Sequence, residues 1–411
     1  MANTTLTPSI VAKTAVRILE NELVMAGMVY RGYEDEFDKK VNGYSAGDTI
    51  TIRKPTDFTV RDGAVMASQD VTEGRTTITV DKQKGVDFAF TSKELTLNID
   101  ELAERVIKPA MVQLANQIDL DVMAEYKNVP NWVGTPGQTV DAFADFAKAP
   151  TRMDLGAVPQ DMRSGVLSPT DYWAMAGSQT ALYMQNVAQG AYRKGRIGEI
   201  GGIDTYMSQN VPTHIVGPLG GTPLVNGAAQ GVAYAAVKDT GTQSLVTDGW
   251  TAAAAARVKA GDVFTIAGVF DVNPVTKATL PHLKMFVAKA DASSDASGNA
   301  TLTISPPIIT SGAFQTVSAA PADNAAMTFF GTAGTGYAQN LVFHKNAFAL
   351  VVVPLVKPPG AVDVSRETYK NINARVIPVY DGTNDKSAWR LDILYGVKTV
   401  DPRLAVRLSG S

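Results

Sequence analysis

From Asp48 onward the hydrophobic period of this chain drops to two, and it stays there on both sides of a long polar interruption. Ile50 and Ile52 share one face of DTITIRK, Ile78 and Val80 share one face of TTITVDK, and Val86, Phe88 and Phe90 continue the alternation in VDFAF. Between the first two runs lies PTDFTVRDGAVMASQDVTEGR, with Arg53, Lys54, Asp57, Arg61, Asp62, Asp70, Glu73 and Arg75 interspersed along it and its flanks. Two strands joined by such an excursion bury too little apolar surface to hold themselves together, because an isolated hairpin is marginal in water. The segment needs a neighbour to lie on, and any fold for the chain has to supply one.

Ahead of it, residues 1–44 open with an amphipathic helical pattern (Ile10, Ala15, Ile18, Leu19, Leu23, Val24) and turn charged in YEDEFDKK. This reads as an arm that packs on something. After it, Asn98 with Glu101 three residues on makes a capping-box pattern for a long helix. Its apolar positions are Leu102, Val106, Met111, Leu114, Ile118, Val122 and Tyr126. Run to about Asn128 it spans ~45 Å, and Pro109 inside it predicts a bend. Residues 141–215 read as mixed, with DAFADFAKAPTRMD helical and GVLSPTDYWAMAG a strand end entering a helix. From Val216 to Gln339 the composition shifts to Gly, Ala, Thr and Ser with few charges. The β-like runs VAYAAV, DVFTIAGV, KMFVAKA and ATLTISPPII recur there, so this domain-sized block reads as an all-β barrel or sandwich. Longer apolar strands follow to the end.

A length of 411 residues is too long for one ordinary core and suggests two to four domains. Apolar residues at 45% and charged ones at 19%, with 35 Gly and 21 Pro, indicate a globular chain rich in strand and loop. A formal charge of −3 is nearly balanced, without the basic excess of a protein that grips nucleic acid. There is no cysteine, which removes disulfides, zinc thiolates, iron–sulfur clusters and thiol nucleophiles together. The N-terminus lacks a basic n-region and a continuous apolar h-region. The most apolar run, Phe348 to Val356, is broken by Pro354 and too short to cross a bilayer. The expectation is a chain made and kept in a cytoplasm, with no membrane partner.

Signatures of chemistry are missing. His214, His282 and His344 are scattered, with no ligand partner at useful spacing, and read as ordinary loop or strand residues. GAYRKGRI has the glycines of a phosphate loop, but Arg196 and Ile197 replace the Lys and Ser/Thr that would contact phosphate and magnesium. DASSDASGNATL lacks the acidic order of a calcium loop and reads as a turn. No catalytic residue, metal ligand or cofactor site is assigned, and the chain is not read as an enzyme. The phrase Ala-Gly-Asp, written before β-prone runs in both SAGDTITIRKP and KAGDVFTIAGV, is a turn launching a strand in two places and not a repeat.

GRIGEIGGIDTYMSQNVP, residues 195–212, resembles a segment of the major capsid proteins of tailed double-stranded DNA bacteriophages. The order of arm, charged hairpin, long helix and strand-rich tail around it is similar too. VKAGDVFTIAGVFDVNPVTK with MFVAKADASSDASGNATLTISPPI resembles the inserted β-barrel of the coat-protein subfamily typified by a Salmonella phage. The resemblance implies an α+β capsid fold. Its parts are an arm (1–44), an extended loop laid on the adjacent subunit (45–95) and a peripheral domain with its spine helix (96–150, completed by 386–411). An axial domain (151–215, completed by 342–385) and an inserted barrel (216–341) complete it.

The implied function is structural: pentamers and hexamers of an icosahedral head enclosing double-stranded DNA without sequence-specific binding, assembled in the host cytoplasm and kept in the virion. The early start of the loop leaves no room for an internal scaffolding segment before it, so a separate scaffolding protein and a portal protein are the expected partners, with no proteolytic maturation. Subunit contacts are assigned to the loop charges Arg53, Arg61, Asp62, Asp70 and Arg75, with Phe58, Val60 and Met66 as apolar anchors. Two other roles stay open at this point: the shell of a bacterial nanocompartment, or another phage structural protein of tail or decoration type.

Overall fold

A computed structural model of the chain describes residues 8–33, 40–41, 44–45, 49–61, 63–66, 68–91, 106–180, 197–358, 364–370 and 372–411. It divides into two compact units, one of Met1–Ile50, Thr77–Met123 and Phe348–Lys398, the other of Thr51–Thr76, Ala124–Ala347 and Thr399–Ser411.

In the first unit the arm helix Pro8–Glu22 buries Val11, Ala12, Ala15, Val16 and Leu19 against the spine helix and the strands Ser365–Tyr369 and Ile372–Asp381. Of the predicted stripe, Ala15 and Leu19 are buried as expected, joined by Val11, Ala12 and Val16. Ile18 is only half-buried, and the helix stops at Glu22, so Leu23 and Val24 fall outside it. A second short helix, Met25–Met28, is started by a carboxylate from elsewhere in the chain. Asp119, 2% exposed on the spine helix, accepts the backbone N–H groups of Val24 (2.8 Å) and Ala26 (2.9 Å). Burial pushes its pKa up, and the two backbone bonds oppose the shift. Asp119→Ala leaves one buried and one half-buried donor unpaired and is expected to cost about 1–3 kcal/mol. Asp119→Asn keeps one acceptor oxygen and should cost less. Denaturant unfolding reads both, and equal midpoints for parent and Ala variant would show that the turn is held by other contacts.

The spine helix Lys108–Met123 turns Ala110, Met111, Leu114, Ala115, Ile118 and Val122 inward, which is the 3.6-residue period of the sequence. The capping pair Asn98 and Glu101 lies outside the described residues. Pro109 is the second residue of this helix, directly after a wide helical turn at 106–107, and the residues before that turn lie outside the described ones.

Strand Lys82–Thr91 pairs antiparallel with Lys386–Thr399, from Thr91↔Lys386 to Tyr395↔Lys82, within a five-stranded sheet completed by Phe348–Val353, Ser365–Tyr369 and Ile372–Asp381. The expected loop 45–95 therefore ends in a built-in strand. The sequence 348–398 joins the arm and the spine, where the expectation had placed 342–385 with the axial segment and 386–411 with the spine. The cause is a pairing between segments some three hundred residues apart, which local pattern cannot register.

In the second unit, six strands lie in the order Trp132–Val133, Ala405–Leu408, Asn340–His344, Arg163–Leu167, Ile203–Met207, Glu199–Ile200. Helices Phe143–Leu155 and Pro169–Thr180 accompany this sheet, with Phe146, Met153, Leu167, Tyr172, Met175, Ile203, Val342 and Val406 in a shared core. The last two strands are joined by Gly201 (φ +57°) and Gly202 (φ +78°), a two-residue turn with both residues left-handed that needs glycine.

The block predicted as all-β holds a second six-stranded sheet, ordered Gly221–Val225, Gln243–Trp250, Ala300–Ser305, Thr279–Ala288, Val263–Val272, Met327–Phe329. Its ends meet at Leu224↔Ala326, where Val225 N–H donates to Ala325 O at 3.0 Å, so the sheet closes around Leu245, Phe264, Ile266, Phe286, Leu302 and Ile304. One predicted β-like run behaves otherwise: VAYAAV gives a short helix, Tyr234–Val237.

Buried ion pairs root this barrel. Asp271 accepts from Arg152 on helix Phe143–Leu155 (3.0 Å) and from Lys284 (2.8 Å), with His282 at 3.4 Å. Asp262 accepts the N–H groups of Gly217 (3.1 Å) and Lys259 (2.8 Å) and pairs with His214 (2.8 Å), whose other ring nitrogen meets Tyr126 OH at 3.1 Å. Arg407, fully buried, donates to Gly261 O (2.8 Å) and lies over the rings of Tyr126 and Trp132 at 5.2 and 5.7 Å. Burial pushes its pKa down to about 9. The histidines read as partnerless thus each stand near a carboxylate, His344 at 3.9 Å from Asp161, because folding supplies partners that sequence spacing does not show. Among the described residues no cluster of side chains could hold a metal ion, and no helix is long and apolar enough to cross a membrane.

Candidate subunit-contact surface

Thr49–Arg53 and Arg75–Thr79 form a two-stranded ribbon, as the alternation predicts. At its open end Lys54 N–H donates to Gly74 O at 2.8 Å, and regular pairing then stops. The chain between has no helix or strand among its described residues. It is closed instead by side chains: Gln69 Oε1 accepts from the backbone N–H (2.9 Å) and hydroxyl (3.0 Å) of Thr59. That clamp spans ten residues and leaves a tip from Val60 to Ser68.

Along this loop apolar side chains face solvent. Val60 is 97% exposed, Met66 83% and Phe58 57%, and Val65 and Val71 are exposed at 84% and 64%. A single exposed apolar residue needs no explanation, but five within fourteen positions on one loop make it the candidate contact surface. Val65 and Val71 were not among the residues picked from sequence. The signal available was the DGAVMASQDV run itself, in which the same reasoning that selected Met66 applies to its valine neighbours.

The charges sort into two groups. Arg53 pairs with Glu73 across the ribbon at 3.4 Å with both side chains exposed, and Arg75 pairs with Asp239 of the barrel segment at 3.5 Å. Exposed pairs of this kind are worth about 0–1 kcal/mol. Arg61 donates to Gly63 O within the tip, and Asp70 is exposed. Asp62 lies outside the described residues. The structure therefore brings Arg61, Val60 and Met66 to the free tip, with Phe58 and Asp70 behind them. It places Arg53 and Arg75 at the base, where they meet their own chain.

The base is anchored further by Lys54 Nζ on Lys238 O (3.5 Å) and Lys238 Nζ on Glu73 O (3.4 Å). Burial, with Asp57 of the loop and Asp239 close by, pushes the Tyr234 hydroxyl above its ordinary pKa. Among the described residues of this surface the side chains are set as structural contacts. What it can do is lay apolar surface and charge on another body.

The family of the P22 coat protein (gene protein 5) matches residues 1–410 of the chain. The major capsid protein of Acyrthosiphon pisum secondary endosymbiont phage 1 is 23% identical over 384 residues, covering 89% of this chain and 90% of that relative. A solved chain of Mycobacterium phage Che8 shares the fold at a TM-score of 0.50 and 14% identity, over 95% of this chain and 92% of that one.

Proposed function

The chain belongs to the P22 coat protein family and is a phage major capsid protein, and from that premise we propose that its copies close as pentamers and hexamers of an icosahedral head around double-stranded DNA. The observation that carries the reading is the loop at 54–74, whose apolar tip is left exposed by the described residues of its own chain. A second copy is the natural cover. Contacts of this kind are heterologous, so they must curve and close to end at a finite shell. Each is weak enough to reverse, and many per subunit make the finished shell persist. A near-balanced charge of −3 suits a wall beside packed DNA better than a clamp upon it. A separate scaffolding protein and a portal are the partners proposed, and the host cytoplasm is the proposed place of assembly. The role is structural.

Electron microscopy of the concentrated protein tests this, alone and after co-expression with its neighbouring phage genes. Closed shells of uniform diameter support it. A monodisperse subunit whose loop tip is protected from solvent in isolation would overturn it.

Strand pairing supports the following proposed assignment of the subunit's parts. The arm, the spine helix and residues 348–398 form the peripheral part. The sheet of 132–133, 163–207, 340–344 and 405–408 forms the axial part, and 216–341 is the inserted domain. Expressed alone, residues 216–341 are expected to unfold in one cooperative thermal transition, at a lower temperature than within the whole chain because Asp262 and Asp271 lose His214 and Arg152. A product without a transition would move the boundary.

A further inference from the structure

The inserted barrel meets the loop of its own chain at the short helix Tyr234–Val237 and the turn after it. Asp239 Oδ1 accepts the backbone N–H of Arg75 at 3.1 Å and also faces its guanidinium at 3.5 Å. Lys238 engages both strands of the ribbon's end: its carbonyl accepts from Lys54 Nζ, and its own Nζ reaches Glu73 O. Between these contacts sits Gly74. A side chain there would begin 2.6 Å from Lys238 O and 2.7 Å from Tyr234 O in its hydroxyl, so only glycine lets the two backbones approach this closely. Tyr234 in turn is backed by the ring of Phe314, stacked at 3.5 Å. The segment 234–239 thus carries a shaped seat, and the sequence Glu73-Gly74-Arg75 fits it.

We propose that the inserted barrel is the loop's mount: it seats the ribbon at Gly74 and so fixes the direction in which the loop leaves the subunit. The consequence for shells rests on the capsid reading above, while the seat itself does not. Geometry shows why a mount matters. From Lys54 to the tip the chain runs about ten residues, so the tip stands up to about 33 Å from the base. A 10° error at the base moves the tip by roughly 6 Å, which exceeds what close-packed apolar contacts tolerate. Two-stranded ribbons twist more strongly than wide sheets, and although Ile78 and Thr79 hold the far end of this one against its own body, the end that leads into the loop needs a second hold. Exposed ion pairs give such a seat little strength, so its work is directional: the close approach at Gly74 and the aimed bond from Arg75 N–H define one orientation.

Two variants of the full-length chain test the mount, Asp239→Ala and Gly74→Val, each with Asp239→Asn as a control that keeps an acceptor oxygen for Arg75 N–H. Hydrogen exchange on the unassembled subunit is read first. Exchange of the Arg75 amide is expected to quicken at least tenfold in Asp239→Ala and to stay within threefold of the parent in Asp239→Asn, with barrel amides such as Leu245 and Phe264 unchanged in both. Shell assembly is read second: Gly74→Val is expected to give at least tenfold fewer closed particles while its barrel amides remain protected. Unchanged Arg75 exchange in Asp239→Ala overturns the mount, and so do normal shells from a folded Gly74→Val. If Gly74→Val loses barrel protection, Asp239→Ala carries both readings alone. Should the parent itself form no shells, the capsid reading fails, and the exchange result still decides the mount.

Discussion

The double substitution Val60→Asp/Met66→Asp is expected to abolish closed shells while leaving the isolated subunit's unfolding midpoint within about 2 °C of the parent, since exposed positions change stability by no more than about 0.5 kcal/mol. Both side chains stand in solvent in the subunit, 97% and 83% exposed, so folding gains nothing from them. Burying each against a second copy is worth about 1.5–3 kcal/mol. Losing two therefore removes at least about 3 kcal/mol per contact, a factor of more than about 100 in the association constant. Repeated at every subunit, that is enough to leave only free protein by sedimentation and electron microscopy. Arg61→Glu should act in the same direction with smaller effect, because Arg61 also donates to Gly63 O within its own tip. Normal particles from the double variant would remove the tip from the contact surface altogether.

Asp271→Ala is expected to be the most damaging single change inside the second unit. It leaves Arg152 and Lys284, with side chains only 7% and 14% exposed, as buried cations without their carboxylate. Breaking a buried pair from one side costs about 3–5 kcal/mol. Denaturant unfolding followed by Trp250 fluorescence should show it as an early transition. An apolar replacement of all three, Arg152→Met/Asp271→Leu/Lys284→Met, should recover most of the loss, because no charge is then stranded.

The same cluster makes the unit sensitive to acid. His282 faces Asp271 from the neighbouring strand, Lys284 on its own strand and Arg152 on the helix. Burial first, and then the two cations against the pull of Asp271, push its pKa down to about 4. Unfolded, the imidazole titrates near 6.5, so between pH 6.5 and 4 the unfolded chain binds the extra proton and stability falls with acidification. Above that window the contribution is whole, and below it the loss is complete. His282→Gln should flatten this part of the pH profile, and an unaltered slope would place the acid sensitivity elsewhere.

How much of this was legible in sequence depended on the range of the interaction. The barrel block announced itself through period-two runs, and the strand entering helix Pro169–Thr180 and helix Phe143–Leu155 stand where local pattern put them. The loop was readable for the opposite reason, a lack of apolar surface. VAYAAV misled because its alternation is equally good for one turn of helix, and its neighbours decide. The partition of the tail could not be read, since Lys82–Thr91 pairs with a strand three hundred residues on and Ala405–Leu408 inserts between Trp132–Val133 and Asn340–His344. The contact residues divided on the same principle. The exposed tip followed from composition, whereas the attachment of Arg75 to Asp239, 164 residues away, is a product of folding.

Closure of the inserted sheet at Leu224↔Ala326 has an outcome that reaches past the single subunit. A flat sheet inserted into a protein crowded among identical copies would offer rows of unpaired amides and carbonyls, the template on which strands from neighbours add and fibrils grow. With its ends joined at Leu224↔Ala326, the six-stranded sheet leaves less of such a row exposed. Copies crowded together then have less open strand edge on which to add to one another wrongly.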